Sequence, residues 1–85
     1  MDTVASLLYM SKFHIKQAND VTQLLRSQRI KQKITQTQLA DFTRLHRKGI
    51  EKVEGQNSDP KLSTLLKLAE VLGVHFYVEI PDELT

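Results

Sequence analysis

Thr35–Glu54, TQTQLADFTRLHRKGIEKVE, is the stretch whose reading decides the fold. It opens on T-x-x-Q at Thr35 and Gln38, a capping-box pattern in which each side chain meets an unpaired backbone N–H at a helix start. Leu39 and Ala40 then face inward, and the small Ala40 lets a neighbouring helix cross at close range. A turn is expected around Thr43 and Arg44, after which Leu45, Ile50 and Val53 have the spacing of a helix with one buried face. The other face of that helix carries Arg47, Lys48, Glu51 and Lys52, three of them cationic. The stretch therefore predicts two short helices joined by a tight turn, with positive charge presented outward by the second.

Upstream, Asp20 and Gln23 repeat the capping-box spacing and predict a helix opening at Asp20, with Val21, Leu24 and Leu25 as its apolar face, fading near Gln32. Two such boxes so close together predict two separate helices rather than one long one. Before Asp20, Val4, Leu7 and Leu8 have helical spacing, and Phe13–Lys16 alternate as a short strand would. Downstream, Glu54–Asp59 (EGQNSD) is made of turn formers. Asp59 as cap and Pro60 at the first helical position open a further helix, with Leu62, Leu65, Leu66, Ala69 and Leu72 as its apolar face and Gly73 as its stop.

The last element, Val74–Ile80 (VHFYVEI), alternates apolar residues, has a β-rich composition and ends at Pro81. A lone strand leaves its backbone donors and acceptors unpaired, which is not stable. Pairing with the same strand of a second copy, extended by Phe13–Lys16, meets that need and predicts a homodimer with Val74, Phe76, Val78 and Ile80 at its interface. The alternative is a terminal strand packed on its own helices or paired only with the N-terminal segment. The organisation expected is an N-terminal extension (1–19), a helical domain (20–73), a dimerisation strand (74–80) and a short tail (81–85).

Bulk properties narrow the function. At 85 residues and 9.8 kDa the chain is one small domain, too small to enclose a deep catalytic pocket. It has no cysteine, no secretory start and no apolar run near the roughly 20 residues that span a bilayer. A cytoplasmic protein with no membrane association is expected. The net charge of +2 conceals a split: residues 1–25 are neutral, Arg26–Lys52 carry eight bases against two acids, and Val53 to the end carry two lysines against six acids. One face can then sit on a polyanion while another avoids it. His14, His46 and His75 are far apart, and no H-x-x-x-H pair, glycine-rich phosphate loop or nucleophile motif is present, so neither catalysis nor a cofactor or metal is expected.

Residues Asp20–Ile80 resemble the Xre-type helix-turn-helix family, of the phage Cro and repressor kind, and within it the HipB antitoxins. Arg29, the TQTQLA of Thr35–Ala40, Leu45, Ile50, Val53, Glu54 and LSTLLKLAEVLGV at Leu62–Val74 carry the resemblance. The closing strand after a helix ending in LG points to HipB rather than to a phage repressor. The fold implied is mainly α, a lambda-repressor-like helix-turn-helix bundle of four to five helices, with the C-terminal β-strand pairing across a dimer. The family pattern makes Gln36 a phosphate anchor, aided by free N–H groups at its helix N-terminus. It places Arg47, Lys48 and Lys52 on base edges in the major groove, favouring guanine, and gives His46 a phosphate or base contact.

Two departures matter. Arg44 stands where the family usually has glycine, at a position that often needs positive φ, and it gains a phosphate contact as a possible role. His46 replaces the usual Ser or Thr cap and Gly49 sits early in the recognition helix, which predicts a helix weakly held until it meets DNA. The resemblance implies a homodimer on a palindromic double-stranded operator, repressing transcription and holding a HipA-type serine/threonine kinase toxin inactive. The alternatives are a toxin-binding subunit that does not itself neutralise the toxin, since the chain ends soon after the strand, and a phage-type repressor with no toxin.

Overall fold

The computed structural model describes residues 12–82, and within them four helices follow one another: α1 (Ala18–Lys31), α2 (Gln36–Thr43), α3 (Arg47–Glu54) and α4 (Leu62–Leu72). The helix expected from Val4, Leu7 and Leu8 lies outside the described residues. α2 packs on α3 and α4, and α1 packs on α3 and α4, so the four enclose one core of Leu25, Leu39, Ala40, Ile50, Val53, Leu65, Leu68, Ala69 and Leu72. Leu39, Ile50 and Leu68 are its largest fully buried side chains.

Helix starts follow the capping chemistry, with two shifts. At α2 the capping box forms as its sequence demands: the Gln38 N–H donates to Thr35 Oγ1 at 3.0 Å, and the Thr35 N–H donates to Gln38 Oε1 at 2.9 Å. At α1 the helix begins two residues before Asp20, which therefore works from inside the first turn. Its Oδ2 accepts the N–H groups of Lys16 and Gln17 at 2.8 and 3.2 Å. The bond from the Lys16 N–H is the main reason its carboxyl titrates below the ordinary carboxylate range. Gln23, expected to complete a box with Asp20, instead donates to the Glu54 carbonyl at 3.0 Å. At α4, Asp59 and Pro60 precede the helix, and Lys61 is the residue from which its hydrogen bonding starts.

Three helix ends close alike. Lys33, Arg44 and Gly73 take the left-handed conformation (φ 60°, 60° and 73°), and the next residue donates back into the helix. These bonds are Ile34 to Arg29 at 3.1 Å, Leu45 to Ala40 at 3.0 Å and Val74 to Ala69 at 2.9 Å. This Schellman closure satisfies carbonyls that the helix leaves open and folds the chain back sharply. Only Gly73 enters that region without steric cost.

The buried stripes differ from expectation on two helices. On α1, Thr22 and Leu25 are buried, while Val21 and Leu24 are only half-buried. Thr22 is admitted because its Oγ1 donates to the Asn19 carbonyl at 3.3 Å. On α4 the buried line is Leu65, Leu68, Ala69 and Leu72, with Leu62 and Leu66 exposed on the outer face. The leucines of LSTLLKLAEVL allow two overlapping helical stripes, and packing against α1 and α2 selects one.

Within a single chain neither expected strand is formed. Residues 74–80 and 12–16 have no regular secondary structure, and among the described residues there is no strand at all. A strand is held by ladder bonds to a neighbour, and a single chain supplies none here. Val74 packs on the core, but Tyr77 and Val78 remain 84% and 83% exposed and Phe76 and Ile80 are exposed as well. The two segments meet at one exposed ion pair, Lys12 Nζ to Glu79 Oε1 at 3.6 Å.

Candidate nucleic-acid interface

α3 owes its orientation to two apolar residues and an acid. Ile50 and Val53 are buried against α1, α2 and α4, which turns Arg47, Lys48, Glu51 and Lys52 outward, all exposed. Lys48 and Lys52 take part in no ion pair among the described residues, whereas Arg47 Nη1 lies 3.1 Å from Glu51 Oε2, one turn along. His46 precedes the helix, is exposed, and its side chain makes no capping bond. Arg44 is exposed in the turn between α2 and α3, and its φ of 60° is the conformation for which glycine was expected there.

The third fixture of α3 is Glu54, which closes the helix inside the protein. Its carboxylate accepts Arg29 Nε at 2.6 Å, Arg29 Nη2 at 2.9 Å and Gln36 Nε2 at 3.0 Å. Arg29 Nη1 donates to the Ile34 carbonyl at 2.8 Å, tying in the turn before α2. The side chains of Glu54 and Arg29 are only 7% and 11% exposed, while Arg26 stands 3.9 Å off, half in solvent. A bidentate Arg–carboxylate pair at this depth locks the end of α1, the start of α2 and the end of α3 together.

This network bears on Gln36. The residue begins α2 and is half-buried, with one amide N–H committed to Glu54, so its side chain is held rather than free. The second N–H of that amide is still available to an acceptor. The Thr35 cap takes up the Gln38 N–H, and the Gln36 and Thr37 N–H groups have no acceptor among the described residues. Such a helix N-terminus suits an oxyanion.

The residues singled out by sequence thus fall into two groups at opposite ends of α3. Arg44, His46, Arg47 and Lys48 gather at its start, Gln36 sits beside its last residue, and Lys52 lies between. Eight helical residues rise about 12 Å. Val74, Phe76, Val78 and Ile80, the expected dimer residues, are remote in sequence from this face, in the segment after α4.

Arg29 and Glu54 carry the family resemblance in sequence without a contact assigned to them, although a signal was there: each follows a buried residue by four places, Leu25 and Ile50, and so continues an apolar stripe with a charge. Glu51 was likewise passed over as an acid on a basic face. Among the described residues, no group of three or more His, Asp or Glu residues is placed to hold a metal ion, and no helix is long and apolar enough to cross a membrane.

Two short helices set by a tight left-handed turn, the second with an outward basic face, define a helix-turn-helix protein. The helix-turn-helix family model matches residues 25–78, and the chain belongs to that family. Its fold is like that of HipB: a solved structure of a HipB variant in complex with an O2 20mer superposes with a TM-score of 0.74. That likeness covers 82% of this chain and 97% of the other at 18% identity, which establishes shared architecture. A comparison with curated proteins gave no match.

Proposed function

We propose that this chain is a DNA-binding transcriptional repressor that acts in the cytoplasm as a homodimer on a palindromic operator. It is also the antitoxin component of a toxin–antitoxin system, complexing a HipA-type serine/threonine kinase toxin. The observation that carries the DNA reading is the outward face of α3, where Lys48 and Lys52 stand exposed beside Arg47 and take part in no ion pair among the described residues. Burial of Ile50 and Val53 at the opposite side leaves that face no other orientation.

In this reading α3 enters the major groove, where Arg47, Lys48 and Lys52 donate to the O6 and N7 acceptors of guanine. Gln36 and the open N–H groups at the α2 N-terminus bind a backbone phosphate about one α3 length away, which fixes the register of the helix in the groove. His46 and Arg44 extend the phosphate contact at the turn. Two copies reach half-sites about 34 Å apart, one helical turn.

Support for the dimer comes from the 74–80 segment, which makes no β ladder among the described residues and whose Phe76, Val78 and Ile80 leave apolar surface in solvent. The toxin arm rests on the likeness to HipB alone. The test is to co-express the chain with the product of the neighbouring gene. Co-purification, together with binding of the DNA upstream of its own gene at two chains per duplex, is the expected result. Phe76→Lys or Val78→Lys should yield monomers by light scattering, and an unchanged mass would count against the strand pairing. Dimeric, DNA-bound chain with no kinase partner would leave a phage-type repressor.

A further inference from the structure

The Arg47–Glu51 pair is not explained by the stability of α3. Arg47 is the first residue of the helix and Glu51 lies in its second half, so both charges oppose the helix dipole, which favours acids at the start and bases at the end. The order along the chain is also the weaker one for an i,i+4 pair, base before acid. The side chains are 59% and 42% exposed, so the pair is screened by water. A carboxylate on this face further reduces its attraction for phosphate. Helix stability therefore gives Glu51 only the weak gain of an exposed i,i+4 pair, against the dipole and against the attraction for phosphate.

We propose that Glu51 is a positioning residue that sets base specificity: it holds the Arg47 guanidinium so that the side chain reads a guanine edge and does not settle on a phosphate. This rests on the DNA-binding reading above. An unrestrained arginine at the groove's edge reaches the phosphate backbone, which carries no sequence information. With Nη1 3.1 Å from Glu51 Oε2, the guanidinium is drawn back across the helix face. Its remaining N–H groups still suffice for the two acceptors of guanine. The neighbouring carboxylate repels phosphate but tolerates a base edge, so Glu51 lowers affinity for all DNA while widening the gap between right and wrong sequences.

The experiment uses the full chain. A preferred duplex is selected from a random library with the wild type, then wild type, Glu51→Gln, Arg47→Ala and the double variant are measured on it. The same proteins are measured on a scrambled duplex and on each single-base substitution. Glu51→Gln is expected to bind the scrambled duplex more tightly and to lose about 10-fold of the preference at one guanine per half-site. Arg47→Ala should erase that same preference, and adding Glu51→Gln to it should leave the base preference unchanged while still raising affinity for both duplexes. If Glu51→Gln changes binding to selected and scrambled duplexes by one factor and keeps the base preference, the assignment is overturned and Glu51 is only a surface acid. A wild-type chain that binds no duplex at any salt would overturn the DNA-binding reading itself, and this assignment with it.

Discussion

Removing the Glu54 carboxylate is expected to be the most costly single change at the α1–α2–α3 junction. In Glu54→Ala, Arg29 loses acceptors at 2.6 and 2.9 Å and keeps only the Ile34 carbonyl, while Gln36 loses its own at 3.0 Å. Because Arg29 is 11% exposed, water cannot replace the lost partner well. Breaking one side of a buried pair costs about 3–5 kcal/mol. A domain of this size has a total stability of about 4–13 kcal/mol, so the variant should be close to unfolding, with its Tm lowered by roughly 12–40 °C. Urea and thermal melts followed by circular dichroism measure this. The cycle with Arg29→Met should show strong coupling, since the second substitution removes the stranded charge. A cost below about 1 kcal/mol, the range of an exposed pair, or strict additivity in the cycle, would refute the view that this pair locks the three helices.

Gly49→Ala should stabilise the chain by about 0.5–1 kcal/mol, because a Cβ there meets nothing within 4 Å and alanine is the better helix former. Slower amide exchange across Arg47–Glu54 would accompany it; unchanged exchange would count against the expectation that Gly49 leaves α3 weakly held. Arg44→Gly relieves a left-handed arginine and should raise stability by roughly 0.5–1 kcal/mol, while the salt slope of duplex binding falls by about 1 per chain if the side chain meets a phosphate. Asp20 has its carboxyl pKa lowered by the Lys16 N–H, so its support of α1 is complete above the ordinary 3.8 and is lost as pH falls through the lower folded value. Asp20→Asn should flatten the acid limb of a helicity titration, and an unchanged limb would refute the assignment.

Local chemistry explains how much of this architecture the sequence foretold. The α2 start was legible because the Thr35 and Gln38 side chains meet each other's backbone N–H, and the turn around Thr43 and Arg44 because the apolar spacing restarts at Leu45, while its left-handed φ was implied only by the family resemblance. The outward face of α3 followed from Ile50 and Val53. What escaped depended on partners distant in sequence. Leucine spacing in α4 fits two faces, and only α1 and α2 decide that Leu68 goes in and Leu62 stays out. Gln23 pairs with a carbonyl 31 residues away instead of with its own first turn, and Arg29 finds Glu54 across 25 residues. The 74–80 strand reads clearly as a pattern, yet a β ladder needs a second backbone that one chain does not provide.

The function proposed for this chain depends above all on whether the α3 face holds DNA. Affinity for the duplex upstream of the gene should be measured across a salt series for the wild type and for Arg47→Ala combined with Lys48→Ala. Wild-type affinity is predicted to fall linearly with salt on logarithmic axes, as phosphate contacts require, and the double variant to bind at least about 100-fold more weakly while melting as the wild type does. A double variant that binds as tightly as the wild type, with the same salt slope, would contradict it.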